Sequence, residues 1–189
     1  MPELIIVLLI IGLFSVIAPM SASKKRAEMQ KLLTSKLVTE NFETSFVLSA
    51  GEMSLYVDKI NEKWFIRQNR SDINPVIYPF SALVSFVLLE SGNNIATATI
   101  GHNPSGPLFE KDNHIEAFLS KSGDCSSLLL IIRPEGEKTS QINVPFLKSQ
   151  VSRSSHEYRR SFSEARYVVN AVVEIQNTVY TQKENRSMT

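Results

Sequence analysis

The sequence predicts an α+β protein: an apolar N-terminal helix, then a bent β-sheet or open barrel of about eight strands closed by a long C-terminal amphipathic helix. Three observations carry that reading. Residues 4–18 (LIIVLLIIGLFSVIA) contain no charge. From Ser45 onward, short β-branched and aromatic runs alternate with turn residues, as half-buried strands do. From Tyr158, apolar residues recur at three- and four-residue steps, the spacing of one helix face.

The apolar start is taken first. Extended to Met20 it is 17 residues, roughly 25 Å of helix, at the lower edge of what crosses a bilayer core. A cleaved signal peptide normally opens with a basic region, whereas this chain opens Met1-Pro2-Glu3, and Met20-Ser21-Ala22 is only a passable cleavage site. The expectation is a transmembrane anchor over 1–22 and a basic juxtamembrane helix or stalk over 23–43. Lys24, Lys25, Arg26, Lys31 and Lys36 follow the run with only Glu28 against them. Positive residues flanking a span stay cytoplasmic, so a single-pass protein of the cell membrane is expected, its domain over 44–182 facing the cytoplasm. Such a collar also attracts anionic headgroups, by about 1 kcal/mol per residue.

In the domain, TSFVLSA, MSLYVDK and KWFIRQN read as strands. Ala50-Gly51-Glu52 and Asp58-Lys59-Ile60-Asn61-Glu62 supply the turns between them. Side chains alternate along strands, so Leu55, Val57, Trp64 and Ile66 share one face. Pro75 introduces VIYPF. Leu83 to Leu89 is apolar at almost every position, which fits a central strand buried on both sides or a short buried segment. Gly92-Asn93-Asn94 reads as a turn, NIATATIG as a strand and residues 101–113 (GHNPSGPLFEKDN) as a loop. HIEAFLS, SLLLIIRP and SQINVPFL complete the β part. Ser154-Ser155-His156-Glu157 has the form of a capping box, a serine with an acid three residues on. Behind it Tyr158, Phe162, Ala165, Val169, Val172, Ile175 and Val179 define a helix over Ser155–Thr181, with a flexible tail over 183–189.

Composition bounds the function. With 43% hydrophobic and 21% charged residues a real core is within reach, and a net charge of +1 lacks the basic excess of a nucleic-acid binder. The single cysteine, Cys125, cannot form an internal disulfide. His102, His114, His156, Asp112, Asp124 and Cys125 are the candidate ligands or nucleophiles, and no pair has metal-site spacing. Cys125 opens an apolar strand and reads as a small buried hydrophobe. Neither G-x-G-x-x-G nor a P-loop is present, so no cofactor is expected. Tyr56, Trp64, Phe65, Tyr78, Phe80 and Phe86 read as sheet and core packing, with a ligand groove as the alternative. Arg153, Arg159, Arg160 and Arg166 form a local basic cluster. With Lys24, Lys25 and Arg26 they are the candidate contacts to acidic lipid or to an acidic partner, against the alternative of a solvated helix face. The leading expectation is a non-enzymatic binding or scaffolding module on the cytoplasmic face of the membrane, in contact with headgroups or another membrane protein. A membrane-tethered enzyme with an unidentified site is the second.

Two resemblances add to this. LYVDKINEKWFI, VIYPFSALVSFVLLESG and the stretch from Cys125 to Gln176 resemble a group of uncharacterised bacterial proteins with a small β-rich, pleckstrin-homology-like domain. Shared features are an aliphatic-Asp hairpin, a strand ending in an acid before glycine, and a Ser-x-x-Tyr segment leading into a terminal helix. The resemblance covers about half of the chain and implies a PH-like fold and no activity. It departs at 101–113, where a longer glycine-rich apolar insertion would be expected. Glu3-Leu4 followed by IIVLLIIG is similar to the helix start of type IV pilins, with Gly12 nine residues on. That similarity implies an extracytoplasmic pilin-like subunit, although no basic leader precedes it and a basic cluster follows the run.

Overall fold

The computed structural model describes residues 24, 27–69, 72–109, 122–135 and 141–187, with side chains as far as residue 181. The expected anchor over 1–22, Lys25, Arg26 and the expected strand HIEAFLS lie outside these residues.

Helix α1 covers 27–39. Strands β1 (Phe46–Ala50), β2 (Met53–Asp58), β3 (Lys63–Arg67) and β4 (Tyr78–Pro79) follow, then a single helical turn at Phe80–Ala82. Next come β5 (Leu83–Glu90), β6 (Asn93–Thr99), β7 (Asp124–Cys125), β8 (Leu128–Pro134), β9 (Ile142–Leu147), β10 (Val151–Ser152) and helix α2 (His156–Ser187). All pairings are antiparallel, in the orders β1-β2-β3-β4 and β6-β5-β8-β9, with a separate β7–β10 ladder.

Two expectations are corrected. No helix among the described residues is long and apolar enough to cross a membrane. Helix α1 carries Glu28, Lys31 and Lys36, and α2 carries Arg159, Arg160 and Glu174, charges that a bilayer core excludes. The fold is therefore a mostly β domain with a C-terminal helix, and the single-pass transmembrane reading is withdrawn. Second, the strands divide into two four-stranded sheets and a two-residue ladder instead of one bent sheet or open barrel.

The core lies between the two sheets and α2. Leu55, Val57, Trp64 and Ile66 enter it from the first sheet, as alternation requires, with Val57 opposite Trp64 and Leu55 opposite Ile66. Leu83, Phe86, Leu88, Leu130, Ile132 and Val144 enter from the second. All seven stripe residues of α2, from Tyr158 to Val179, are buried among them. Strand β5 is central in its sheet, but its outward residues Val84, Ser85, Val87 and Leu89 are only half-buried, so it is not sealed on both faces.

The outer face of the first sheet has its own small cluster. Phe65 is buried with its ring stacked on Tyr56 at 4.4 Å and met edge-on by Phe42 at 5.0 Å. Helix α1 ends just before Phe42. Asn41 turns left-handed at φ 49°, Phe42 N–H returns to the Leu37 carbonyl at 2.8 Å, and Asn41 N–H reaches Val38 at 3.1 Å. That pairing is a Schellman stop, with asparagine in the place glycine usually takes. Within α1, Leu33 is buried while Leu32 and Val38 are exposed.

Local chemistry moves two boundaries. The β5–β6 loop is Ser91-Gly92, both at positive φ (49° and 83°), as a two-residue I′ hairpin turn demands, so Asn93 and Asn94 belong to β6. Helix α2 starts at His156, and its cap is Ser155, whose Oγ accepts the Tyr158 N–H at 3.1 Å. Ser154 and Glu157 do not form the expected box. At the other end α2 continues to Ser187, through most of the expected tail.

Because α2 supplies a whole wall of the core, truncating Phe162 to alanine should cost about 3–5 kcal/mol, seen as a lower urea midpoint at unchanged slope. An unchanged midpoint would mean that α2 is not part of the cooperative unit.

Candidate functional site

The most deeply buried polar groups come first, because they decide which charges remain for function. Glu90 ends β5 with its side chain 3% exposed. Arg153 donates to it twice, Nε to Oε1 and Nη2 to Oε2, both at 3.0 Å, and the Tyr158 hydroxyl donates to Oε1 at 2.6 Å. The β7–β10 ladder makes this reach possible by holding Val151–Ser152 beside Asp124–Cys125, and Arg153 N–H anchors on the Gly123 carbonyl at 3.1 Å. Burial, followed by the hydrogen bond to Glu90, pushes the Tyr158 phenol far above its ordinary value, which keeps it a donor. Cys125 is buried next to this network. Burial raises its thiol pKa, and Sγ donates to the Ser127 carbonyl at 3.2 Å. A thiol held protonated is a poor nucleophile.

A second buried carboxylate, Asp58, closes the β2–β3 turn. Oδ1 accepts the N–H groups of Ile60 (3.0 Å) and Asn61 (2.9 Å), and Oδ2 accepts the Glu43 N–H (2.6 Å) and Asn61 Nδ2 (2.8 Å). Burial raises its pKa, but the N–H donors of Asn61 and Glu43, with the rest, outweigh it and hold the carboxyl below the ordinary aspartate range.

The concave surface lies elsewhere. A groove of about 450 Å³ opens between the β1–β2 turn, the end of β3, strand β9 and the first turn of α2. The turn is Gly51-Glu52, with Gly51 at φ 59°, the positive first position of a two-residue hairpin loop. Met53, Val144 and Phe146 give the groove an apolar lining, and the carboxamides of Gln68, Asn69 and Asn143 stand along it. Gln68 Nε2 bridges to the Asn143 carbonyl at 3.4 Å, and Lys148 Nζ bridges to Glu52 Oε2 at 2.9 Å. That ion pair is well exposed and lowers the Glu52 pKa. Glu157 adds a second acid at the rim.

The candidate residues read from the sequence scatter. Lys24 is exposed on the helical backbone before α1. Arg153 is bound to Glu90, and Arg160 Nε pairs with Glu164 one turn on at 2.9 Å. Arg159 is exposed and Arg166 half-buried. His102 and His156 are exposed, and Asp124 accepts from Gln150 Nε2 at 2.8 Å. His114 and Asp112 lie outside the described residues. Among the described residues no group of three His, Cys, Asp or Glu side chains could hold a metal ion. The aromatic set packs: Trp64 stacks on Tyr78 at 4.9 Å and donates Nε1–H to the Pro79 carbonyl at 3.1 Å, while Phe80 and Phe86 are core. Sequence reasoning missed the groove. Its walls come from four separated segments between Ala50 and Glu157, and no local pattern marks them. Glu90 had a signal, an acid closing an apolar run, without any sign of its partners.

No family model, curated protein or solved structure matches this chain.

Two predictions follow the two carboxylates. Arg153→Met strands a buried charge and should cost about 3–5 kcal/mol. Tyr158→Phe removes one bond to a charged acceptor and should cost about 1.5–3 kcal/mol. Urea unfolding reads both, and an Arg153→Met loss no larger than that of Arg159→Met would refute the assignment of Glu90 as a structural centre.

Asp58 titrates lower folded than unfolded, so its stabilisation is complete above the ordinary aspartate pKa and disappears as pH falls through the folded value. Asp58→Asn should therefore be less stable than the parent chain at neutral pH, and the gap should narrow below about pH 4. Thermal melts across that range test it, and a gap independent of pH would rule the account out.

Proposed function

We propose that this chain is a non-enzymatic binding module that holds a short extended segment of a protein partner in the groove between the β1–β2 turn and β9. The observation that carries the reading is the lining: carboxamides of Gln68, Asn69 and Asn143 over an apolar floor of Met53, Val144 and Phe146, in about 450 Å³. A carboxamide both donates and accepts, which complements the amide groups of an extended peptide. A concave site of this size with an apolar lining and a few placed polar groups is the usual form of a binding pocket. Glu52 and Glu157 outnumber Lys148 at the rim, so a basic residue in the bound segment is favoured. Strand addition is disfavoured, because Pro145 deprives the outer strand β9 of an N–H. Recognition falls to side chains. A headgroup-binding reading has less support, since Arg153 is bound to Glu90 and Arg160 to Glu164.

Panning a phage library of linear peptides against the full chain tests this. Enriched peptides should carry an apolar residue beside Lys or Arg. Their affinity should fall about tenfold in Glu157→Gln and in Asn143→Ala, and stay unchanged in Arg159→Gln. Peptides that bind both groove variants at parent affinity, or a library that yields no groove-dependent binder, would overturn the proposal.

A further inference from the structure

A second concave site lies at the far end of α2, about 20 residues and so about 30 Å along the helix from Glu157. It is a pocket of about 180 Å³ between the end of β6 with the loop after it and the stretch of α2 from Gln176 to Tyr180. Thr99, His102 and Asn103 line it from the loop side, and Gln176, Asn177 and Tyr180 from the helix. None of these side chains carries a permanent charge, in contrast to the groove.

Gln176 sets the character of the pocket. It is 4% exposed, an uncommon place for a carboxamide, and its Nε2 donates to the Val84 carbonyl at 3.3 Å. That bond orients the amide, and no hydrogen bond from a described residue reaches Oε1. No fully buried side-chain oxygen or nitrogen among the described residues lacks a partner, so Oε1 keeps some contact with solvent. Buried polar groups normally have a hydrogen-bond partner, and here a mostly buried amide that lines the pocket keeps an acceptor for solvent or a ligand. The neighbours add groups of mixed character. The carboxamides of Asn103 and Asn177 each donate and accept, as does the Thr99 hydroxyl. His102 Nδ1 lies 3.4 Å from the Ile100 carbonyl, so the tautomer donating there presents Nε2 as an acceptor. Tyr180, partly exposed, supplies an amphipathic ring.

We infer that this pocket binds a neutral, hydroxyl-rich ligand, a single sugar ring. A hydroxyl donates and accepts at one atom, which is what a lining of amides, hydroxyl and imidazole complements. An ionic ligand would find no permanent counter-charge there, and an apolar one would cover the amides and hydroxyl of the lining without replacing their hydrogen bonds to water. The volume is the share of about six waters at about 30 Å³ each, room for one ring and not for a chain. The two sites are independent, and either can stand without the other.

The test is an amide-detected NMR titration of the full chain with neutral hexoses, N-acetylhexosamine, a uronic acid and an amino sugar at millimolar concentration. At least one neutral sugar should shift the Gln176 and Asn177 side-chain signals saturably. Asn177→Ala and His102→Ala, both at exposed positions, should weaken that binding about tenfold while leaving the melting temperature and peptide binding as in the parent. The methyl glycoside separates two sources. Binding equal to the free sugar assigns the site to a chain-terminal unit, and loss assigns it to the free sugar, both within the inference. Absence of saturable shifts with every neutral sugar, tighter binding of the uronic acid or amino sugar, or shifts that survive Asn177→Ala would overturn it.

Discussion

The arrangement of this domain hangs on one buried carboxylate. Glu90 alone in the interior would cost several kcal/mol, and it is tolerable only because Arg153 and the Tyr158 hydroxyl both donate to it. Those donors come from the turn before α2 and from the first turn of α2, while the acceptor closes β5. The carboxylate therefore requires three chain segments to arrive together. Once they have, the start of α2 is pinned, and the seven-residue apolar stripe behind it follows across both sheets. The short β7–β10 ladder has little stabilising area of its own. Its contribution is to deliver Arg153 to the right depth.

What was legible in the sequence is what repeats locally. The stripe from Tyr158 to Val179 recurs over six turns, so its buried face could be read residue by residue, and all seven positions lie in the core. The β2–β3 hairpin was equally plain, because alternation and a turn beginning with Asp58 agree. The capping box failed by one position for a simple reason: two consecutive serines precede the helix, and only one is followed by an acid three residues on. The structure uses the other, Ser155, whose third residue is Tyr158, since that register brings the phenol to Glu90. Local chemistry offered two caps, and the buried carboxylate fits one.

Strand pairing was not legible, because period two marks a strand without naming its neighbour. β8 sits beside β5 and β9 beside β8, leaving the first four strands to a sheet of their own. The same blindness applies to the groove. Its amides belong to unremarkable polar positions at strand ends, and they become a surface only when the end of β3 faces β9. The arginines show the same limit from the other side. Spacing in sequence gathered four of them, whereas the fold spends Arg153 inside and pairs Arg160 along its own helix.

On the proposed reading contact with a partner falls to side chains, and the construction of the sheet edges supports this. The free edge of β6 is taken by a two-bond bridge, Thr97 and Ser105 exchanging N–H and carbonyl at 2.9 Å in both directions. β4 is two residues long, too short to template another strand. β9 carries Pro145, and β1 has α2 packed against it. The β6, β4 and β9 edges are thus bridged, shortened or interrupted, which disfavours pairing with copies of the chain. The same devices close off backbone-to-backbone recognition of a partner. Among the surfaces left open are a groove walled by amides at one end of α2 and an uncharged pocket at the other, and both are built on the helix whose start Glu90 pins.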